Sequence, residues 1–586
     1  MSIWTLVVLV LATCAAGAAV GWFVPERRCP LVVAWAGSLA ALALLVASVE
    51  VLVSGAPAQV ALWTVRPLGV LMLALDPLAA FFLLVSAVVF VATSVFSAGY
   101  LGHYLGRYSL RAFATWYLLL FASIVLVIVA ADAFTFLLAW EAMSIVSYLL
   151  ADFDHRRAGT SRAAFIMLAM GEAGFMAVTV ACVFVGVHAG SLMFTDFRTA
   201  SAALGPLARW LVFLLTFFGF GVKAGLVPVN TWLPRAHPAA PANVSAVLSA
   251  VILNLGLYGI LRFDGDLVHI DAVGPGVVVL IIGAVSALVG ILYATTENDL
   301  KAMLAHSSIE NMGIVTAGLG AGWIFAAGGH AAAAAIAFVA AFYHVANHSA
   351  YKALLFLGAG VVDVRAGTRD LNRLGGLVRV LPWTSAAFLV GALGIAALPP
   401  FNGFVSEWLT LQTMLRSAEL GVTWVKVVFA LCGAILALTA ALAVTCFVKA
   451  FAMGFLGMSR SPAAAAAHEP GRSGLVPLAF LALVCVLLGA LPTYVVPALD
   501  SVTSAYAGAS ATDALVPPFF GTAAGHARLP ASFAAEFRDL GAQLGGGIAP
   551  GRGLIVLHRG GEPNPVVFAM STSYMVTVLI ALLVAT

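Results

Sequence analysis

The side chains able to pass protons inside this sequence are few and selective in type. Of 28 Lys and Arg residues only Lys223, Lys301, Lys352, Lys426 and Lys449 are lysine, and Lys223 and Lys352 lie well inside apolar runs. A lysine at mid-bilayer costs ~2.5–3.5 kcal/mol on insertion scales, so retaining one there needs a reason. Arginine keeps its proton, whereas a desolvated lysine can release one. A proton path would therefore use Lys, Glu and His within the membrane and leave Arg to the connections, which is the division this sequence has.

Glu141 sits within the fifth apolar run, and Lys223 lies shortly before Pro228, where the seventh run breaks. A Glu141–Lys223 pair would keep both groups charged, and a loosened pair would let the lysine shed a proton; the plainer alternative is one structural ion pair. His344, His348 and Lys352 recur every fourth residue, on one helical face. Stacked along ~12 Å of helix they form either a proton wire or a structural network with Asn347 and Ser349. Two histidines so spaced cannot grip opposite faces of one haem, which sets haem ligation aside. Glu407, just after Pro400, ends the row. Glu172 and Glu310 lie among small and polar neighbours and read equally as relay members or structural carboxyls. Lys301 and His306 could line an aqueous opening or anchor a helix at the interface. Asp76, before Pro77, reads as a helix cap, and Lys426 and Lys449 bracket one run and would snorkel.

Only a membrane scaffold can position such groups in this chain. Charged residues make up 9% of it, against roughly 25% in a soluble domain, while 63% is apolar and mean hydropathy is +1.07. A net charge of +3 is too small to imply nucleic acid. Six cysteines without a CxxC or CxxxC pair give no iron–sulfur or zinc motif, so no cofactor is expected in this chain. Long apolar runs without alternation predict an all-α polytopic membrane protein of about 15 transmembrane helices. The runs are 1–24, 31–54, 74–98, 112–130, 132–151, 162–187, 207–228, 243–263, 274–296, 302–326, 332–361, 380–416 with a break, 422–456, 474–499 and 566–585. The first has no basic leader and reads as a retained span. Arginines gather in connections after odd-numbered spans, among them Arg107, Arg157, Arg162, Arg235, Arg369 and Arg460, which predicts the N-terminus outside and the C-terminus inside. Residues 500–565 read as an extramembrane excursion, with Ser532–Leu544 a short amphipathic segment.

Two connections are unusual. Prolines crowd the stretch 228–241, and Pro399-Pro400 interrupts a later run; each break has a Pro followed two residues on by Asn, at Pro228/Asn230 and Pro400/Asn402. Interrupted helices in corresponding places of two halves point to an inverted-repeat transporter.

Several strings in order resemble the antiporter-like subunits of respiratory complex I and of cation/proton antiporters. They are Trp140-Glu-Ala-Met-Ser-Ile-Val-Ser-Tyr-Leu-Leu150, Lys223 with Pro228 and Thr231-Trp-Leu233, Asp299-Leu-Lys301 with Ser307-Ser-Ile-Glu-Asn-Met-Gly313, and Ala350-Tyr-Lys-Ala-Leu-Leu-Phe-Leu-Gly358. The likeness runs from roughly residue 70 to 455. Together with Gly367-Thr-Arg-Asp-Leu-Asn-Arg-Leu-Gly-Gly376, it is most similar to the branch that holds the membrane subunits of hydrogenase-4 and formate hydrogenlyase. The resemblance implies two inverted five-helix repeats, 112–263 and 274–456, each with a broken helix, between N-terminal helices at 1–98 and C-terminal helices at 474–586. It further implies that Glu141 and Lys223 form a Glu–Lys pair, Lys352 with His348 a central relay, and Glu407 a terminal carboxylate. One position departs: many members carry a lysine where this chain has Asn254, which can hold a hydrogen bond but not carry a proton.

The leading expectation is thus a proton-translocating subunit of a hydrogenase-4-like or complex I-like complex in the cytoplasmic (inner) membrane. Its expected partners are other membrane subunits and a peripheral redox arm with iron–sulfur or nickel–iron subunits; sodium is the alternative ion. The rivals are a subunit of a multi-subunit sodium/proton antiporter and a non-conducting membrane anchor of a redox enzyme.

Overall fold

The computed structural model describes residues 2–65, 69–268 and 272–515, with the backbone of 549–550, 555–557 and 563–565. Its first part comprises α1 (Ile3–Phe23), α2 (Cys29–Ser54), the antiparallel strands β1 (Ala58–Val65) and β2 (Gly69–Leu75), α3 (Pro77–Tyr100), α4 (Leu110–Val129), α5 (Ala133–Ala151), α6 (Thr160–Ala189), α7 (Phe194–Ala203), α8 (Pro206–Ala224) and α9 (Leu233–Ala239). Then come α10 (Ala242–Val247), α11 (Leu253–Ile260), α12 (Val273–Thr296), α13 (Leu300–Ala327), α14 (Ala331–Ala366), α15 (Leu377–Val380), α16 (Pro382–Ile395) and α17 (Asn402–Leu415). The rest is α18 (Thr423–Phe455), α19 (Pro462–Ala465), α20 (Arg472–Ala490), α21 (Pro492–Ala507), α22 (Ala511–Leu515) and the short strands β3 (Ala549–Pro550), β4 (Ile555–Leu557) and β5 (Pro563–Pro565).

Among the described residues twelve helices are long and apolar enough to cross a membrane. The 28-residue α13 matches them in length but is more polar. The span expected at 566–585 and the amphipathic segment Ser532–Leu544 lie outside the described residues. Acidic caps and first-turn prolines set several helix starts: Asp76 Oδ1 accepts from Ala79 N at 2.8 Å, and Asp132 Oδ1 from Thr135 N at 2.7 Å. Three expectations need correction. The third span begins at Pro77, because 69–75 is a strand pinned by Met72 N donating to Asp132 Oδ2 at 2.9 Å. The seventh ends at Ala224 rather than 228. The stretch from 500 does not leave as a loop: α21 continues to Ala507, and the Tyr506 ring packs on Phe338 and Phe342 of α14.

Helix α14 is the central post, 36 residues long and buried over nearly its whole length. On one side it meets a helical stretch, 242–267, in which α10 and α11 are joined by a π-turn at Leu248–Ile252 and followed by another at Leu261–Leu267. On the other lies α13, which is seamed to α12 by glycines. A Cβ on Gly283 would stand 2.3 Å from Ala317 N, one on Gly290 2.4 Å from Glu310 N, and one on Gly320 2.4 Å from Leu280 N. Such close backbone approach is what small residues permit where lipid offers no hydrophobic drive between helices.

Candidate proton-relay site

Lys223 occupies the last turn of α8. The helix stops because Gly225 takes φ +73, its N–H bonding Val222 O and Leu226 N–H bonding Gly221 O at 3.0 Å, a Schellman close. The indole Nε1 of Trp232, beyond Pro228, also donates to Val222 O at 2.8 Å, giving that carbonyl at the break a second donor. The lysine head therefore sits at the negative end of α8. Its ammonium donates to Ser144 Oγ on α5 at 3.2 Å and lies 5.9 Å from the Trp140 ring centroid. The direct Glu141–Lys223 ion pair expected from sequence is not formed: within the described residues no Glu–Lys contact falls in ion-pair range, and Ser144, one turn beyond Glu141, takes the ammonium instead. Glu141 instead neighbours Glu172 of α6, and both that carboxyl and Lys223 act on it electrostatically. Glu141 Oε2 and Glu172 Oε1 are buried without a hydrogen-bond partner.

Between this group and the centre runs α11. A Cβ on Gly256 would lie 2.4 Å from Ala224 N, so α11 touches the α8 terminus one residue from Lys223. On the other face Asn254 Nδ2 donates to Ser349 Oγ of α14 at 2.7 Å and to Ala250 O at 2.8 Å. Asn254 thus ties α11 to α14 at Ser349, the residue next to His348 in the chain, and carries no titratable proton.

The centre collects groups from α9, α13 and α14. Lys352 Nζ donates to Ser307 Oγ at 2.6 Å and Leu304 O at 2.9 Å. Lys301 Nζ donates to Ala240 O at 2.7 Å, just past α9, and is buried; the sequence-based choice between an aqueous opening and an interfacial anchor is replaced by an interior position. His348 is fully buried with both ring nitrogens unpartnered. His306, stacked on Tyr293 at 5.4 Å, stands apart from this group at the half-exposed edge of α13.

Beyond lies a tighter network. Asn311 Nδ2 donates to Ser307 O at 2.7 Å, which orients the amide so that Oδ1 accepts from Tyr351 OH at 2.5 Å and from His344 Nε2 at 3.0 Å. In the neutral ring this leaves His344 Nδ1 as the acceptor, facing Ser406 Oγ of α17 at 2.9 Å. The Ser406 hydroxyl has a second acceptor, Gly403 O at 3.1 Å. It can therefore donate to the neutral ring or turn to Gly403 O when Nδ1 carries a proton. Asn347 Nδ2 donates to Ser406 Oγ and to Asn402 O at the second break, joining α14 to the start of α17. Glu310 of α13 and Glu407 of α17, both buried, act electrostatically on Tyr351, and Glu407 also acts on Glu310.

Every ion pair among the described residues uses arginine: Arg262 with Asp76 and Asp266, Arg198 with Asp266, Arg369 with Asp299 and Asp363, and Arg416 with Glu419. The lysines are held by hydroxyls and carbonyls. Lys449 donates to Thr295 O and Glu297 O and Lys426 to Ala418 O, so each is tied to a helix end. Asp76 caps α3 as expected and also receives both guanidinium nitrogens of Arg262, at 2.6 and 2.8 Å.

Sequence reading missed His237. It lies in α9, fully buried, its ring stacked on Phe356 at 5.3 Å, with both nitrogens lacking a hydrogen-bond partner, and Lys301 and Lys352 act on it electrostatically. Its only signal was a histidine inside the proline-rich break. Asp264 was missed as well; it is fully buried in the second π-turn and receives Thr216 Oγ1 at 2.5 Å.

Residues 130–437 match the family model described as NADH:quinone oxidoreductase/Mrp antiporter, TM. The chain is 37% identical over 460 residues to hydrogenase-4 component B of Escherichia coli (strain K12), an alignment covering 77% of this chain and 68% of that protein. It is 34% identical over 388 residues to formate hydrogenlyase subunit 3 of the same organism, covering 65% and 61%. A chain in the structure of the Mrp complex from Dietzia sp. DQ12-45-1b superposes with a TM-score of 0.73 at 19% identity, over 87% of this chain and 98% of that one, a likeness of fold.

Proposed function

Because the chain belongs to the NADH:quinone oxidoreductase/Mrp antiporter transmembrane family, we propose that it is the proton-translocating membrane subunit of a hydrogenase-4-like or complex I-like complex. The observation that carries this reading is the contrast in partners: Lys223, Lys301 and Lys352 are buried and bound only to neutral oxygen atoms, while the ion pairs belong to arginine. An ammonium held by a hydroxyl or carbonyl gives up its proton without leaving a stripped carboxylate behind. In this reading the Glu141/Glu172 carboxyls take a proton at one end, Lys223 passes it inward from Ser144, and the step past Asn254 falls to bridging water. His348 and Lys352 receive it, and His344, oriented by Asn311 and Ser406, passes it toward Glu407.

The two broken helices, α8 with α9 and α16 with α17, would then belong to two inverted halves, 112–263 and 274–456. The arginine distribution favours an N-terminus outside and a C-terminus inside the cytoplasmic membrane. Redox cofactors would reside in a peripheral iron–sulfur or nickel–iron arm and not in this chain.

The test is redox-driven acidification by the reconstituted complex carrying Glu141→Gln or Lys223→Met. Pumping should collapse while electron transfer continues; unchanged pumping would sink the relay and favour a non-conducting anchor. Co-purification of iron–sulfur or nickel proteins, as against small membrane subunits alone, separates this reading from a multi-subunit cation/proton antiporter.

A further inference from the structure

One strongly charged feature has no part in the relay. A cavity of about 450 Å3 opens between the start of α6, the chain around α9 and the connection after α14, and four arginines line it: Arg157, Arg162, Arg235 and Arg369. No acidic residue is among its lining. Arg369 is fixed, its guanidinium paired to Asp299 at 2.9 Å and donating to Pro238 O at 2.7 Å. Arg157, Arg162 and Arg235 are exposed and make no ion pair among the described residues. Three unneutralised guanidiniums converging on one concavity repel each other unless an anion joins them. The cavity also borders Thr160 at the α6 N-terminus, which no side chain caps.

A second observation favours a lipid as the carrier of the anion. Near the cavity α6 exposes Phe165, 62% exposed and three residues beyond Arg162, and farther on, past Glu172, an apolar stripe of Met176, Val180, Val183 and Val187. The stripe follows helical spacing and leads away from the arginines along a span. A ligand meeting both surfaces has a phosphate at one end and a hydrocarbon chain at the other. The four arginines come from connections after odd-numbered spans, and so from the face expected to meet the anionic leaflet.

We propose that this cavity binds the phosphate of an anionic phospholipid, with Arg157, Arg162 and Arg235 as the cradle, Arg369 as its fixed wall and the outer stripe of α6 carrying an acyl chain. The site would lie against the relay: Pro238 and Ala239 line the cavity, and the next carbonyl, Ala240 O, holds Lys301. The assignment does not depend on whether the relay conducts.

The test is native mass spectrometry of the delipidated full-length chain, within its complex, titrated with phosphatidylglycerol or phosphatidylcholine of matched chains, and separately with inorganic phosphate. Wild type should retain phosphatidylglycerol preferentially, and R157Q/R162Q/R235Q should weaken it by about a hundredfold, about fivefold for each guanidinium near the surface. The singles R162Q and R235Q, both at exposed positions, should each show about a fivefold loss and keep the test readable should the triple variant not assemble. Equal retention of the two lipids, or equal affinity in wild type and variants, overturns the proposal. Inorganic phosphate bound as tightly as the lipid would keep a phosphate site but reject the lipid as its source. Loss of a neighbouring subunit from the variants with lipid retention unchanged would overturn it in favour of an acidic protein partner.

Discussion

The seam between α12 and α13 sets a sharp test, because a single methyl group there reaches the hydrogen-bond acceptors of Lys352 without touching the lysine side chain. In Gly290→Ala the new Cβ would stand 2.4 Å from Glu310 N and 2.9 Å from both Glu310 Cα and His306 O. These are backbone atoms of packed helices and cannot rotate aside, so reaching an ordinary contact needs α13 to shift by about 1 Å relative to α12. Helix α13 also supplies both acceptors of Lys352, Ser307 Oγ at 2.6 Å and Leu304 O at 2.9 Å. A shift of about 1 Å either opens these bonds beyond hydrogen-bond range or drives them into clash. Overpacking of this kind costs ~1–3 kcal/mol, and misplacing a reacting group by ~1 Å costs up to ~100-fold in rate. The complex should assemble, melt at lower temperature and pump at least about tenfold more slowly in liposomes. Gly421→Ala, with nothing within 4 Å of the added Cβ, is the matched control. If Gly290→Ala pumps and melts like that control, the rigid placement of Lys352 by α13 is wrong.

Lys352→Arg should abolish pumping as completely as Lys352→Met, by about 100-fold or more, because guanidinium keeps its proton; dye-monitored acidification of proteoliposomes measures it. His237→Phe should preserve the stack on Phe356 and raise the melting temperature slightly by removing two unpartnered ring nitrogens, yet lower proton flux if His237 serves the relay; unchanged flux assigns the ring to packing. Burial raises the Asp76 carboxyl, but the Arg262 guanidinium outweighs it and holds the group below its ordinary value. The stability from this pair is then complete above the ordinary carboxylate range and lost as pH falls through the lowered value. Arg262→Met should cost about 3 kcal/mol near neutral pH and flatten that acid-side loss, read from melting temperature against pH.

Hydropathy placed the spans because a lipid-facing helix must be apolar along its length, and α4, α6 and α12 lie where their runs were drawn. The rarity of Lys, Glu and His inside those runs isolated Lys223, Lys352, His344 and Glu407, all of which are buried. Which group each one meets was not legible. Ser144 meets Lys223 across 79 residues of chain and Ser406 meets His344 across 62, and nothing local in either segment encodes the other. His237 escaped for the opposite reason: a proline-rich segment reads as loop, but here a broken helix folds it back into the interior, as membrane proteins allow only where protein surrounds the backbone. The hairpin β1–β2 was hidden by the apolar residues of 69–75, which merge into the run of α3.

The π-turn at Leu248–Ile252 controls angular phase. A wide turn inserts one extra residue into the winding, so all that follows is rotated by about 100° from where an unbroken α-helix would put it. Asn254, two residues on, meets Ser349 only with that offset. Deleting one residue within 248–252 would let the turn tighten to an ordinary one and leave the downstream helix its present facing, whereas the same deletion within 255–260 would swing the Arg262 end away from Asp76. A periodicity count across 242–267 therefore cannot return a single buried face, and the stretch is buried all round. The slack of one residue lets a change of register be absorbed within the turn.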